Sequence, residues 1–193
     1  MNRQSIAQGP PPDDLDLSDL PPANVDGYLF RAHHRENGAW YFSNSGAGRF
    51  DLTGERGTCY VAESVSAAAR ERLGEQFLNG RAIAPEDARN MVVSEVEFAV
   101  NHVADLNAPG VALYPITSEL TSMEDYQVPQ AWARAFDKGG FNGVRYRGRF
   151  SYAAGDSWAI FGPEGPDASR LVVPGWLAEC RCELPRPPPA DAS

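Results

Sequence analysis

Arg49, Tyr60 and Glu71 stand eleven residues apart in GRFDLTGERGTCYVAESVSAAARERL, residues 48–73, a stretch rich in Ala, Gly, Ser and Thr. An arginine fork matches the oxygens of a phosphate two at a time. A tyrosine offers a flat face with a polar tip, and a carboxylate favours positive charge that develops where water is excluded. Such groups could converge from a loop, a strand and a helix onto one pocket. Taken singly, the same residues read as a surface arginine, a core tyrosine and a solvated helix glutamate.

Whether the three meet depends on the elements that carry them. GYLFRAHH (27–34) and AWYFS (39–43) have strand composition, and SNSGAG (43–48) is a turn that delivers Arg49. GTCYVAE (57–63) predicts a strand holding Tyr60. Ser64 or Ser66 then caps a helix to about Phe77, with Ala69, Leu73 and Phe77 as its buried stripe. Glu71 lies about 200° around that helix from Ala69, beside Ala67 and Ala68, and faces something other than the main core. Glu63 and Glu75 are the rival carboxylates if the helix register differs.

Further along, valine-rich MVVSEVEFAVNHVADL (91–106) predicts one long or two short strands, broken by Pro109 and Gly110. VPQAWARAFDKGG (128–140) predicts a helix with Pro129 in its first turn, Ala131, Ala135 and Phe136 or Trp132 inward, and Gly139-Gly140 as its stop. GVRYRGRF (143–150) and SWAIFG (157–162) are strand candidates, with a final pair around LVV and LAECRCEL. On a strand, Arg147 and Arg149 would share a face with Gly148 between them, either cradling a ligand or standing solvated. The class is α/β or α+β: a mixed, mainly antiparallel sheet with a few helices.

The 193 residues, 42% hydrophobic, suit one domain. Proline and aspartate dominate residues 1–26, and the chain closes on LPRPPPADAS, so disordered tails are expected over 1–26 and 185–193 around a folded unit at 27–184. A net charge of −9 opposes a surface built to neutralise nucleic-acid phosphates. No positively charged, then apolar leader opens the chain and no apolar run approaches twenty residues, which points to the cytoplasm. Cys59, Cys180 and Cys182 lack the number and spacing for disulfides or zinc, and adjacent His33 and His34 would point to opposite faces of a strand, so no metal site is expected.

The series YLFRA, GRF, TCYVAESVSAAARE, VADL, YQVPQAWARAFDKGGFNGVRY and SWAIF resembles the RES domain, a family named for arginine, glutamate and serine positions. The resemblance covers about residues 27–162. It implies an ADP-ribosyltransferase-like fold and an activity that degrades NAD, with inorganic phosphate as co-substrate and no cofactor beyond NAD itself. It also implies the toxin role in a bacterial toxin–antitoxin pair, with an antitoxin protein as partner and self-association left open. Arg31, Arg49, Tyr60 and Glu71 fall on the family's active-site positions. Gly148 stands where the family pattern, roughly G-[IV]-R-Y-x-S, has its serine.

Such a resemblance gives the three residue types roles. The nicotinamide of NAD is already a cationic leaving group, so cleaving its bond to ribose demands anchoring of the phosphates and support for an oxocarbenium-like ribose. Arg31 and Arg49 suit the anchoring, Tyr60 the stacking, and Glu71 the support, while Arg147, Gly148 and Arg149 would supplement phosphate binding. Phosphate, water or a protein side chain can attack the same carbon, giving phosphorolysis, hydrolysis or ADP-ribosylation. A degenerate member that only binds a nucleotide or a partner is the non-enzymatic alternative.

Overall fold

The computed structural model describes residues 7–78, 89–150 and 155–166. Alternating burial builds its longest pairing. In strand β4, Met91–Asp105, Val96, Phe98 and Val100 are buried while Glu95, Glu97 and Ala99 are exposed, the period of two expected where one face is wet. It runs antiparallel to β1, Pro22–His34, with Tyr28 opposite Glu97 and Arg31 opposite Ser94. Strands β3 (Arg56–Ala62) and β6 (Ser157–Pro163) are largely buried on both faces and pair antiparallel. β5, Gly143–Tyr146, joins β6 antiparallel and β4 parallel. The order β1-β3-β6-β5-β4 closes on itself as a barrel, and β2 (Tyr41–Phe42) pairs separately with β7 (Gly165–Pro166). The expected α+β class with a mainly antiparallel sheet is what forms.

Two helices pack on this sheet. Ser64 caps α1, Val65–Leu78, by accepting the Ala67 N–H at 3.0 Å, which settles the choice between Ser64 and Ser66. Ala67, Ala68, Ala69 and Leu73 are its buried residues; Phe77's side chain lies outside the described part. Helix α2, Gln127–Lys138, buries Pro129, Trp132, Ala133 and Phe136. Their spacing of three, one and three residues is that of a single helical stripe, with Ala133 taking the inward place expected of Ala131 and Ala135.

Register sorts the strand side chains onto two faces. Phe30 sits opposite Ala62, Tyr60 opposite Ala159 and Tyr146 opposite Ser157, so these six share the face on which the helices pack. Leu29, Cys59, Val61, Trp158 and Ile160 point the other way, into a second core with Val96, Phe98 and Trp40. Everything chemical in this molecule depends on which face a residue takes.

The amino-terminal expectation needs correction. Residues 7–21 pack against the domain instead of trailing from it: Leu17 and Leu20 join Trp132 and Phe136 in the core, Gln8 is buried, and β1 begins at Pro22. Proline and aspartate set the average composition of this segment, but Leu15, Leu17 and Leu20 supply enough apolar surface to hold it down. The expected tail at 185–193, the final strand pair and Cys180 and Cys182 lie outside the described residues.

Candidate active site

Arg49 reaches its place on a heavily fastened turn. The Asp51 carboxylate accepts the Gly48 N–H at 3.0 Å and the Tyr60 hydroxyl at 2.9 Å, while that hydroxyl accepts the Phe50 N–H at 2.8 Å. Gln130 of α2 donates to the carbonyls of Gly46 and Gly48, both at 2.9 Å. A Cβ on residue 48 would run into the Asp51 carboxylate and the Tyr60 ring, so this turn requires glycine. The result is an arginine only 7% exposed. Its guanidinium donates to the Met123 carbonyl and lies 4.9 Å from the centre of the Tyr126 ring, close enough for attraction between cation and ring face.

Glu71 projects from α1 and accepts the Phe150 N–H at 3.0 Å. Three residues on, the helix is kinked at Gly74, and the Phe150 ring occupies the space a side chain there would need. The kink and the hydrogen bond together seat the segment after β5 against the carboxylate. Tyr146, at the end of β5, packs edge-on against Phe50 with centroids 5.0 Å apart.

Electrostatics tie these groups together. The Tyr146 phenol is pushed far above the ordinary tyrosine range, first by burial and then by the Glu71 and Tyr126 charges, with Arg49 opposing them. Burial also drives the Tyr60 phenol well up, with Asp51 and Tyr146 adding to it. Both tyrosines therefore remain neutral hydrogen-bonding groups at physiological pH. Arg49, Tyr60 and Glu71 come from a turn, a strand and a helix, and each lies within electrostatic range of the buried Tyr146 phenol.

Arg31 goes elsewhere. It alternates with Phe30, so its side chain takes the face opposite Tyr60, where one guanidinium nitrogen donates to the Ala39 carbonyl at 2.6 Å and the Cys59 sulfur at 3.1 Å. His33 shares that side, bonding Ser94 Oγ and the His34 carbonyl, each at 2.8 Å. Burial lowers its pKa from the usual value, with the Arg31 charge helping and the backbone contacts opposing.

Arg147, Gly148 and Arg149 lie beyond the end of β5, so the strand expected over 143–150 stops at Tyr146. The three residues instead wall a cavity of about 450 Å³ together with Asn107, Thr117, Ser118, Thr121 and Ser122. Arg149 is tied to Glu124 at 2.9 Å, and Arg147 lies 4.0 Å from Asp156. Leu106, Val111 and Ile116 complete its lining, which includes none of Arg49, Tyr60 and Glu71; the chain at Thr121 and Ser122 continues to Met123, whose carbonyl accepts from Arg49.

Glu63, one rival carboxylate, belongs to a different cluster. It accepts the Asp156 N–H at 3.1 Å and, with Asp105 and Asp156, surrounds Arg145 at 3.7, 3.2 and 2.6 Å. Glu75's side chain lies outside the described part. Asp51, Tyr126 and Tyr146 were missed by the sequence reading. Asp51 had a signal, since an acid two residues after Arg49 in a glycine-bounded turn is a ready acceptor for turn N–H groups. Tyr126 and Tyr146 had none short of knowing which faces meet. No group of three or more side chains able to hold a metal occurs among the described residues, and no helix among them is long and apolar enough to cross a membrane.

A closed, mainly antiparallel sheet with two helices packed on one face among the described residues defines an α+β protein. The sequence matches the RES domain over residues 28–185. The chain belongs to the RES domain family. Among solved structures it resembles one from the M. tuberculosis MbcT-MbcA toxin-antitoxin complex, with a TM-score of 0.54 and 18% identity over 72% of this chain and 76% of that one. That likeness is one of fold. No curated protein sequence matches the chain significantly.

Proposed function

We propose that this protein degrades NAD by cleaving the bond between nicotinamide and ribose, and that it does so as the toxin of a toxin–antitoxin pair in the cytoplasm. The observation that supports the proposal is that Arg49 and Glu71 both act electrostatically on the buried Tyr146 phenol, which in turn acts on Tyr60, while Glu71 holds the Phe150 N–H of the segment after β5. Membership in the RES domain family supports it, and the solved structure of similar fold comes from a toxin–antitoxin complex.

In this reading Arg49 and the arginines of the neighbouring cavity hold the phosphates of NAD, and Tyr60 and Tyr126 flank its rings. Glu71 stabilises the positive charge on ribose as the carbon–nitrogen bond breaks and its electron pair leaves with neutral nicotinamide. An oxygen of inorganic phosphate then bonds to the ribose carbon, giving ADP-ribose 1-phosphate. The carboxylate already has a backbone donor, and the tyrosines stay neutral, so the charges are preset before a ligand enters. Phosphate is the co-substrate we favour because Arg147 and Arg149 border the cavity next to the cleft. An antitoxin would act by covering that entrance.

Incubating the purified protein with NAD, with and without phosphate, tests this directly. Nicotinamide with a phosphorylated ADP-ribose supports phosphorolysis, free ADP-ribose shows hydrolysis, and a labelled protein acceptor shows transfer. Intact NAD at verified folding overturns the enzymatic reading. Gly148, in the place of the family serine, favours a second reading in which the protein binds a nucleotide or partner without turnover; tight NAD binding with no product would establish it.

A further inference from the structure

The wall of the arginine-lined cavity is held by a residue far away in sequence. Gln8 is 6% exposed and spends its whole carboxamide on neighbouring backbone. Its Nε2 donates to the carbonyls of Pro115 at 3.0 Å and Gly9 at 2.9 Å, and its Oε1 accepts the Thr117 N–H at 2.6 Å. The Gln8 N–H in turn donates to the Glu119 carboxylate at 2.8 Å. One residue thus fixes the segment 115–119 at three points.

The anchor is itself anchored. Trp132 of α2 donates its indole N–H to the Gly9 carbonyl at 2.9 Å, and Leu17 and Leu20 fasten the following residues to the core. Beyond Glu119 the same wall contributes Thr121 and Ser122 to the cavity, the Met123 carbonyl to Arg49, and Glu124 to Arg149. Its own internal bonds are short-range turns, such as Leu120 N–H to the Thr117 carbonyl at 3.1 Å. Leu120, fully buried, and Ile116 pack it against the main core, while among the described residues Gln8 supplies its long-range polar hold at 115–119.

We infer that Gln8 is a positioning residue: its carboxamide sets the cavity wall at 115–123, and through that wall it sets affinity for a phosphate-bearing ligand. The ligand half of this inference rests on the NAD reading above; the positional half does not. A buried amide whose partners are all backbone groups is costly to remove, because the Thr117 N–H and the Pro115 carbonyl lose the group that replaces water for them. A wall displaced by about 1 Å is enough to change a site's performance by on the order of a hundredfold.

The test uses the full chain and three variants. Gln8→Met keeps the volume and deletes the amide, Gln8→Ala deletes both, and Val96→Ala weakens the second core, which does not include the wall. Hydrogen exchange should show the Thr117 amide at least tenfold faster in Gln8→Met, with amides of β6 unchanged. The KM for NAD should rise about tenfold with kcat nearly constant, the sign of lost binding rather than lost chemistry. Val96→Ala should lower the melting temperature and leave KM alone. Wild-type exchange at Thr117 in Gln8→Met, or faster exchange with unchanged KM, would overturn the inference. If the unaltered protein leaves NAD intact, the NAD reading falls while exchange at Thr117 still decides whether Gln8 positions the wall.

Discussion

Arg31 and Arg49 were both expected at active-site positions from the resemblance to the RES domain, yet they make different contacts: Arg31 with Ala39 and Cys59, Arg49 with Met123 and Tyr126. Arg49 lies against a tyrosine ring and a backbone carbonyl, within electrostatic reach of a phenol that also senses Glu71. Arg31 lies between a carbonyl and a buried thiol, beside His33, in a core otherwise apolar. Composition cannot separate the two. Strand parity does: Phe30 opposite Ala62 fixes Arg31 on the side of Cys59 and away from Tyr60. The contrast teaches that matching a family's position and occupying its cleft are separate physical facts.

The largest expected effect is on the cleft side. Glu71→Gln retains an oxygen for the Phe150 N–H but removes the charge, so NAD turnover should fall by at least about a hundredfold while calorimetry shows binding within about twofold. Next come the two arginines. Arg49→Ala should weaken NAD binding about 10- to 150-fold, the equivalent of a lost charge-assisted hydrogen bond. Arg31→Ala should instead lower stability to urea by about 1–3 kcal/mol, by orphaning the Ala39 carbonyl, with the folded fraction binding NAD as before. Equal losses of affinity in both variants would break the distinction between the faces.

Gly148→Ser restores the family's side chain at the cavity wall. If that serine gives one neutral hydrogen bond to ribose, NAD turnover should rise about two- to twelvefold. A steep loss in a well-folded variant would show that the cavity needs glycine's bare backbone.

The smallest effect is on the other face. An unfolded histidine takes up a proton near pH 6.5, which the buried His33 resists, so its contribution to stability is present above that pH and lost as the pH falls below it. His33→Gln should flatten this part of a stability–pH curve. An unchanged curve would mean that His33 takes up its proton as readily in the folded chain as in the unfolded one.

The sequence carried the periodic features well. β4 alternates, α1 carries its Ser64 cap, and α2 has proline at its start and glycine after its end, so their class and place follow from local rules. That Arg49, Tyr60 and Glu71 come from a turn, a strand and a helix was also foreseeable from local rules. Long-range contacts were not. Whether a strand stops at Tyr146 or continues to Phe150 is decided by Glu71 and Gly74, which seat Phe150 against α1. That Leu17 and Leu20 outweigh the prolines around them depends on a groove beside Trp132 and Phe136 that no local window contains.

One measurement bears most directly on the claim that the helix-bearing face does the chemistry. NAD loss and nicotinamide release should be followed over time for the unaltered protein, Glu71→Gln and Glu63→Gln at matched folded concentration. Glu63 belongs to the carboxylate ring around Arg145, whereas Glu71 stands with Arg49 and Tyr146. The account predicts that the unaltered protein and Glu63→Gln release nicotinamide at similar rates and that Glu71→Gln releases almost none. Full activity in Glu71→Gln, or its loss in Glu63→Gln alone, would contradict it.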